Sequence, residues 1–187
     1  MVRNKALVLS CCLALIMFFG AVTMSGAEEE PKVGQMVPMV KFQPPITPEG
    51  AKYLGLAKPE PFTIKDIKAP YVLVEQFNTS CPHCMHQAPF MNQLYEKVEA
   101  DPQLKNKVKF IGAGQGNEVT QLKMWKAFNK VPFPLVPDPN QTWGKAVNFT
   151  PYPVTVLVDK TGRILFVHIG SFDNPDEVLQ KIKAVVK

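Results

Sequence analysis

The sequence is poor in cysteine, in net charge and in long apolar runs, and each shortage excludes something. The formal charge is only +5 over 187 residues, too small a surplus to argue for a nucleic acid or an anionic lipid surface as partner. No internal repeat and no low-complexity tract occurs, so repeat arrays are excluded, and the length suits one globular domain rather than two. Cysteine appears four times, at Cys11, Cys12, Cys81 and Cys84. The only long uncharged apolar stretch is Ala6 to Thr23.

That stretch follows Arg3 and Lys5 and ends in Ser25, Gly26 and Ala27 ahead of Glu28, Glu29 and Glu30. A basic start, an apolar middle and small residues before a cut form the pattern of a signal peptide. Cleavage after Ala27 leaves 187 − 27 = 160 residues, 4 − 2 = 2 cysteines and a charge of +5 − 2 = +3. Two other readings stay open: an uncleaved N-terminal membrane anchor, and a lipoprotein box at Val8 to Cys11, against which the apolar run continues past Cys11. All three export the remainder, to the bacterial periplasm or the outer face of the cytoplasmic membrane. Cys81 and Cys84 then work where disulfides persist.

Residues 1–27 are thus read as the export segment, 28–66 as a proline-rich wrapping arm and 67–187 as the folded domain. Seven prolines between positions 31 and 61 exclude a central strand or a long helix there. The arm's apolar residues, among them Val33, Val37, Phe42, Leu54 and Phe62, predict that it packs on the body. Beyond it, Tyr71 to Phe77 reads as a strand. Cys84, Ala88, Met91, Tyr95 and Val98 mark one face of a helix ending near Asp101. Lys107 to Ile111 reads as a second strand, followed by flexible glycines at 112, 114 and 116. A helix over Val119, Leu122, Trp125 and Phe128 follows, with Asn117 as cap, then a short strand at Leu135 and Val136. Val154 to Val158 and Arg163 to Ile169 form a hairpin around Asp159 to Gly162, and Asn174, Pro175 and Glu177 open the last helix. This order predicts an α/β fold, a central mixed sheet flanked by helices.

The chemistry centres on Cys81, Pro82, His83 and Cys84, a CxxC directly after a predicted strand and opening a predicted helix. Unpaired amides and the positive end of the dipole favour a thiolate at a helix N-terminus. Cys81 is therefore the expected nucleophile, Cys84 the resolving thiol, and Pro82 sits where its missing N–H costs nothing. A rival of another class is a Cu(I)- or Zn-binding, metallochaperone-like module using Cys81, His83, Cys84, Met85 and His86. No second ligand cluster accompanies those residues.

From these residues the chain resembles the thioredoxin superfamily over about residues 67–187. Glu75 stands where family members carry a buried acid, Pro89 matches the proline of the active-site helix, and Pro153 matches the cis proline that faces the disulfide. The segment Gly112 to Pro139 is similar to the insertion of exported redoxins of the TlpA and ResA group, and Val33, Gly34, Gln35 and Pro38 are similar to that group's start. The resemblance implies a thioredoxin-like fold with an N-terminal extension and an insertion before the cis-proline strand. It implies a thiol:disulfide oxidoreductase that needs no cofactor or metal and exchanges a Cys81–Cys84 dithiol with cysteine-bearing client proteins. The expected role is reductant, with cytochrome c maturation among its tasks and a membrane or soluble thiol as electron donor. Glu75 would carry the proton of Cys84, and Tyr152, turned by a cis bond at Pro153, would border the sulfur.

One feature of the motif points toward the opposite direction of electron flow. Pro82 and His83 resemble the dipeptide of the oxidant DsbA, and a donor or positive charge from His83 near Cys81 would favour the reduced form. A fall of about three pKa units at Cys81 is worth on the order of 4 kcal/mol, or nearly 90 mV in a two-electron couple, taking roughly 30 mV per 1.4 kcal/mol. An oxidant or isomerase is therefore the alternative.

Overall fold

The computed structural model describes residues 28–187. Residues 1–27, read from the sequence as an export segment, lie outside the described residues. Ten regular elements follow in order within them: α1 (Pro48–Leu54), β1 (Tyr71–Phe77), α2 (Pro82–Ala100), β2 (Val108–Gln115), α3 (Val119–Phe128), β3 (Leu135–Asp138), α4 (Thr142–Ala146), β4 (Val154–Asp159), β5 (Ile164–Ile169) and α5 (Pro175–Val185), with a 3-10 turn at Ile64–Asp66 before β1. The sheet order is β3-β2-β1-β4-β5. β1 runs parallel to β2 and antiparallel to β4, β2 runs parallel to β3, and β4 runs antiparallel to β5. The sheet is mixed, and β1, which leads into the cysteine pair, is at its centre.

Alternation along the strands divides the interior into two cores. On one face Leu73, Phe77, Phe110, Leu157 and Phe166 pack against α2, α3 and α5 through Ala88, Leu94, Leu122, Trp125, Val178 and Ile182. On the other, Val72, Val74, Ile111, Val154 and Val156 pack against Trp143 of α4 and against Val37, Phe42, Leu54, Phe62 and Ile64 of the arm. The arm supplies apolar side chains that the second face would otherwise leave wet. It also pairs with the start of the edge strand β5, where Gly34 N donates to Ile164 O at 2.8 Å and Val37 N donates to Gly162 O at 2.8 Å.

The β4–β5 hairpin forms as expected. Asp159 Oδ1 accepts from the amides of Thr161 and Arg163, and Gly162 takes φ +90° with Val37 O only 2.6 Å from where a Cβ would stand. Asn174 caps α5 by accepting from Glu177 N at 3.2 Å, with Pro175 in the first turn.

Three local expectations are corrected. Gly112 and Gly114 are strand residues rather than a flexible linker: a Cβ there would meet Leu135 Cδ2 or Leu122 Cδ2 at 2.4 Å, so their smallness lets side chains seat on the strand. The cap of α3 is Glu118, whose N–H donates to Gln121 Oε1 at 2.8 Å, while Asn117 is buried and accepts from Thr79 N at 2.9 Å. Phe128 is 81% exposed, so α3 buries only Leu122 and Trp125. The arm also holds a seven-residue helix, α1, opened by Thr47 and Pro48 and closed by Gly55 at φ +72°.

Candidate active site

Cys81 is the N-cap of α2, with Pro82 in the first turn. Its sulfur accepts from Cys84 N at 3.2 Å and stands 4.0 Å from the carbonyl oxygen of Tyr152. Both cysteines are free thiols, Cys81 8% exposed and Cys84 fully buried. The outer and inner sulfurs of the sequence reading are thus distinguished by access, since a partner can reach Cys81 first. The loop before them is held by hydrogen bonds of Asn78: its Nδ2 donates to Gln115 O at 2.7 Å, Ser80 N donates to its Oδ1 at 2.8 Å and Cys81 N donates to its backbone O at 3.1 Å.

Opposite the sulfurs, the Tyr152–Pro153 peptide bond is cis. Gln76, fully buried on β1, donates from Nε2 to Phe149 O at 2.9 Å and to Pro151 O at 2.6 Å, which pins the loop entering that bond to the central strand. Tyr152 itself is 39% exposed and Pro153 is buried. Tyr152 therefore carries a partly solvent-exposed side chain, while its carbonyl oxygen stands toward Cys81.

Glu75 lies on β1 beneath the dithiol and is 5% exposed. Burial pushes its carboxyl up to about 7, opposed only by the hydrogen bond from Gln87 Nε2 to Oε1 at 3.1 Å. The Cys84 thiol is pushed well above its ordinary value, first by burial and then by its hydrogen bond with Cys81, with the charges of Cys81 and Glu75 adding and an Asn78 backbone hydrogen bond opposing. Two neighbouring acids that each resist ionising are suited to passing one proton between them. The structure brings together Cys81, Cys84, Glu75, Tyr152 and Pro153. His83 projects from the exposed side of α2, as do Met85 and His86. Among the described residues no three His, Cys, Asp or Glu side chains converge as metal ligands would.

Sequence reasoning missed Gln87. It is fully buried, donates to Glu75 and accepts from Phe172 N at 3.3 Å, so it ties α2 to both the carboxyl and the approach to α5. The available signal was a polar residue three positions after Cys84, on the helix face otherwise read as apolar.

A central strand delivering two thiols to the head of a helix, with a cis proline across from them and a buried acid below, is the arrangement of a thioredoxin-like protein. Residues 32–184 match the redoxin family, and the chain belongs to it. It is 25% identical over 113 residues to the thiol-disulfide oxidoreductase ResA of Geobacillus kaustophilus, a match covering 60% of this chain and 62% of that protein. Against ResA of Geobacillus thermodenitrificans it is 25% identical over 122 residues, covering 64% and 67% of the two chains. The chain thus spans less than two thirds of the first relative's length. Among solved structures it is similar to StoA of Bacillus subtilis, with a TM-score of 0.58 and 17% identity over 79% of this chain and 99% of that one. A secreted disulfide oxidoreductase of Mycobacterium tuberculosis homologous to DsbE gives a TM-score of 0.57 and 16% identity over 78% and 95%. These likenesses show the thioredoxin-like fold.

Proposed function

We propose that the protein is an exported thiol:disulfide oxidoreductase, working chiefly as a reductant of client proteins. The observation that carries the reading is the access-ordered pair itself: Cys81 at the surface edge of the helix N-terminus, Cys84 buried behind it, and 3.2 Å between the Cys81 sulfur and the Cys84 amide. Cys81 thiolate attacks a client disulfide and forms a mixed disulfide, and the first client sulfur leaves with the electron pair. Cys84 loses its proton to Glu75 and attacks the Cys81 sulfur, so that the client's second thiolate departs and the protein is left oxidised. An extended client segment would pair with the exposed backbone at Tyr152, beside the reacting sulfur.

Family membership and the ResA relatives support the thiol chemistry. The likeness to the TlpA and ResA group supports reduction, with proteins of cytochrome c maturation among the candidate clients. The export segment read at residues 1–27 supports work outside the cytoplasm, with a membrane or soluble thiol as donor. Among the described residues no helix is long and apolar enough to cross a membrane. The test is insulin reduction by the purified protein without metal, together with its Cys81→Ser and Cys84→Ser variants. Cys81→Ser should lose all exchange and Cys84→Ser should accumulate mixed disulfide. Equal behaviour of the two would overturn the assignment of roles. A reduction potential measured against glutathione fixes the direction, since a value well above about −200 mV would make the protein an oxidant.

A further inference from the structure

Cys84 and Glu75 are sealed from water, so the proton they exchange needs a way out. β1 and β4 are paired so that Glu75 stands opposite Thr155, and β4 and β5 so that Thr155 stands opposite His168. Directly paired residues share a sheet face with Cβ atoms about 5 Å apart, a gap that a hydroxyl or one bridging water spans. This is the face that α2 and α5 cover, because Leu157 and Phe166, two positions away on the same strands, lie in that core. Thr155 is fully buried, and its hydroxyl has no hydrogen-bond partner among the described residues. A buried hydroxyl left over in this way calls for a function or a bound water. His168 is partly exposed, its ring edge-on to Phe172 with centroids 5.5 Å apart, and its Nε2 lies 3.4 Å from Ser171 O. An Nε2–H tautomer donates there and leaves Nδ1 to take up a proton.

We propose that Glu75, Thr155 and His168 form a proton path across the sheet, connecting the buried dithiol to solvent. The inference rests on the thiol-exchange reading above. When the mixed disulfide resolves, the Cys84 S–H proton passes to the Glu75 carboxylate, and Cys84 thiolate displaces the client thiolate from Cys81. The Glu75 proton then moves to the Thr155 hydroxyl, which hands its own proton to His168, and His168 releases it to water. Oxidation of the client thiols runs the same path backward. The groups facing this row are Cys84 and Gln87 from α2, Phe172 and Ser171 from the loop after β5, and Glu177 from α5, whose carboxyl is held low mainly by Lys181 and slightly by His168. Thr155 and His168 are positioning and relay residues and do not touch the client.

The test uses the reduced protein with dithiobis-nitrobenzoate in weak buffer near pH 7. Release of the first aryl thiolate reports Cys81 attack, and release of the second reports resolution by Cys84. Thr155→Val and His168→Gln should each slow the second release about tenfold or more without slowing the first. Imidazole should restore His168→Gln, and Thr155→Ser, which keeps the hydroxyl, should retain the wild-type second phase. A second phase in Thr155→Val or His168→Gln within about twofold of wild type, far short of general acid–base catalysis, would overturn the path. So would a loss in His168→Gln that imidazole leaves in place. Failure of the thiol-exchange reading looks different, because the first release would then be missing from the wild type or would survive in Cys81→Ser.

Discussion

Replacing Glu75 by Gln should change how stability depends on pH, and the size follows from the burial of the carboxyl. Its proton is held up to about 7 in the fold, against a value near 4.3 for a free glutamate. The fold therefore binds this proton more tightly than the unfolded chain does. The stability it confers is fully present below the unfolded value and is lost as pH rises through the folded one. Over roughly 2.5 pKa units at 1.36 kcal/mol each, the loss amounts to about 3 kcal/mol between pH 4.5 and 7.5. The substituted amide has nearly the same shape as the carboxyl, still accepts from Gln87, and never ionises, so the variant should keep that energy at alkaline pH. Urea unfolding of both reduced proteins from pH 4.5 to 8.5 measures it. The difference between them should grow in favour of Glu75→Gln as pH rises and level off above about 8. Other carboxyls such as Asp66 and Asp101, whose pKa values are lowered, titrate below this window in both proteins and cancel. Parallel curves across the range would refute the reasoning, since they would mean that Glu75 ionises as freely in the fold as outside it.

The same variant should lower the pKa at which Cys84 titrates, because the Glu75 charge is one of the groups that raise it; thiolate absorbance of Cys81→Ser with and without Glu75→Gln reads this out. Gln87→Leu should raise the Glu75 pKa further by removing the one hydrogen bond that lowers it, visible as an alkaline shift in the pH profile of resolution. Gln76→Leu strips the donors from Phe149 O and Pro151 O, and should cost about 1–3 kcal/mol in urea unfolding for the unsatisfied carbonyls, with slower client exchange. Gly162→Ala should destabilise the chain in thermal unfolding, because φ is +90° and the new Cβ would lie 2.6 Å from Val37 O, a backbone atom that cannot swing away.

Elements with a strong local signature are legible in the sequence. β1 and the β4–β5 hairpin can be read to within a residue or two, because alternation and turn chemistry are encoded in neighbours. The first turns of α2 and α5 are legible through Pro82 and through Asn174 with Pro175, where a cap and a first-turn proline leave few alternatives. Gly112 and Gly114 mislead for a physical reason: a glycine that permits a turn and a glycine that makes room for Leu135 or Leu122 look the same until the neighbours are known. Phe128 misleads because helical spacing says which residues share a face, not whether anything covers it.

By itself the sequence determined that two thiols open a helix behind a strand, and that an acid and a proline accompany them at spacings a redox domain uses. Spacing is a local property, and the chain carries it whatever surrounds it. Only the tertiary structure decided the rest. It seals Glu75 under α2 with Gln87 donating to it, sets the Tyr152 carbonyl 4.0 Å from Cys81, and lines up Thr155 and His168 beside Glu75. Those facts depend on strand register and on which surfaces are dry, and both are set by contacts between residues far apart in the chain, Cys81 with Tyr152 and Glu75 with Thr155 among them.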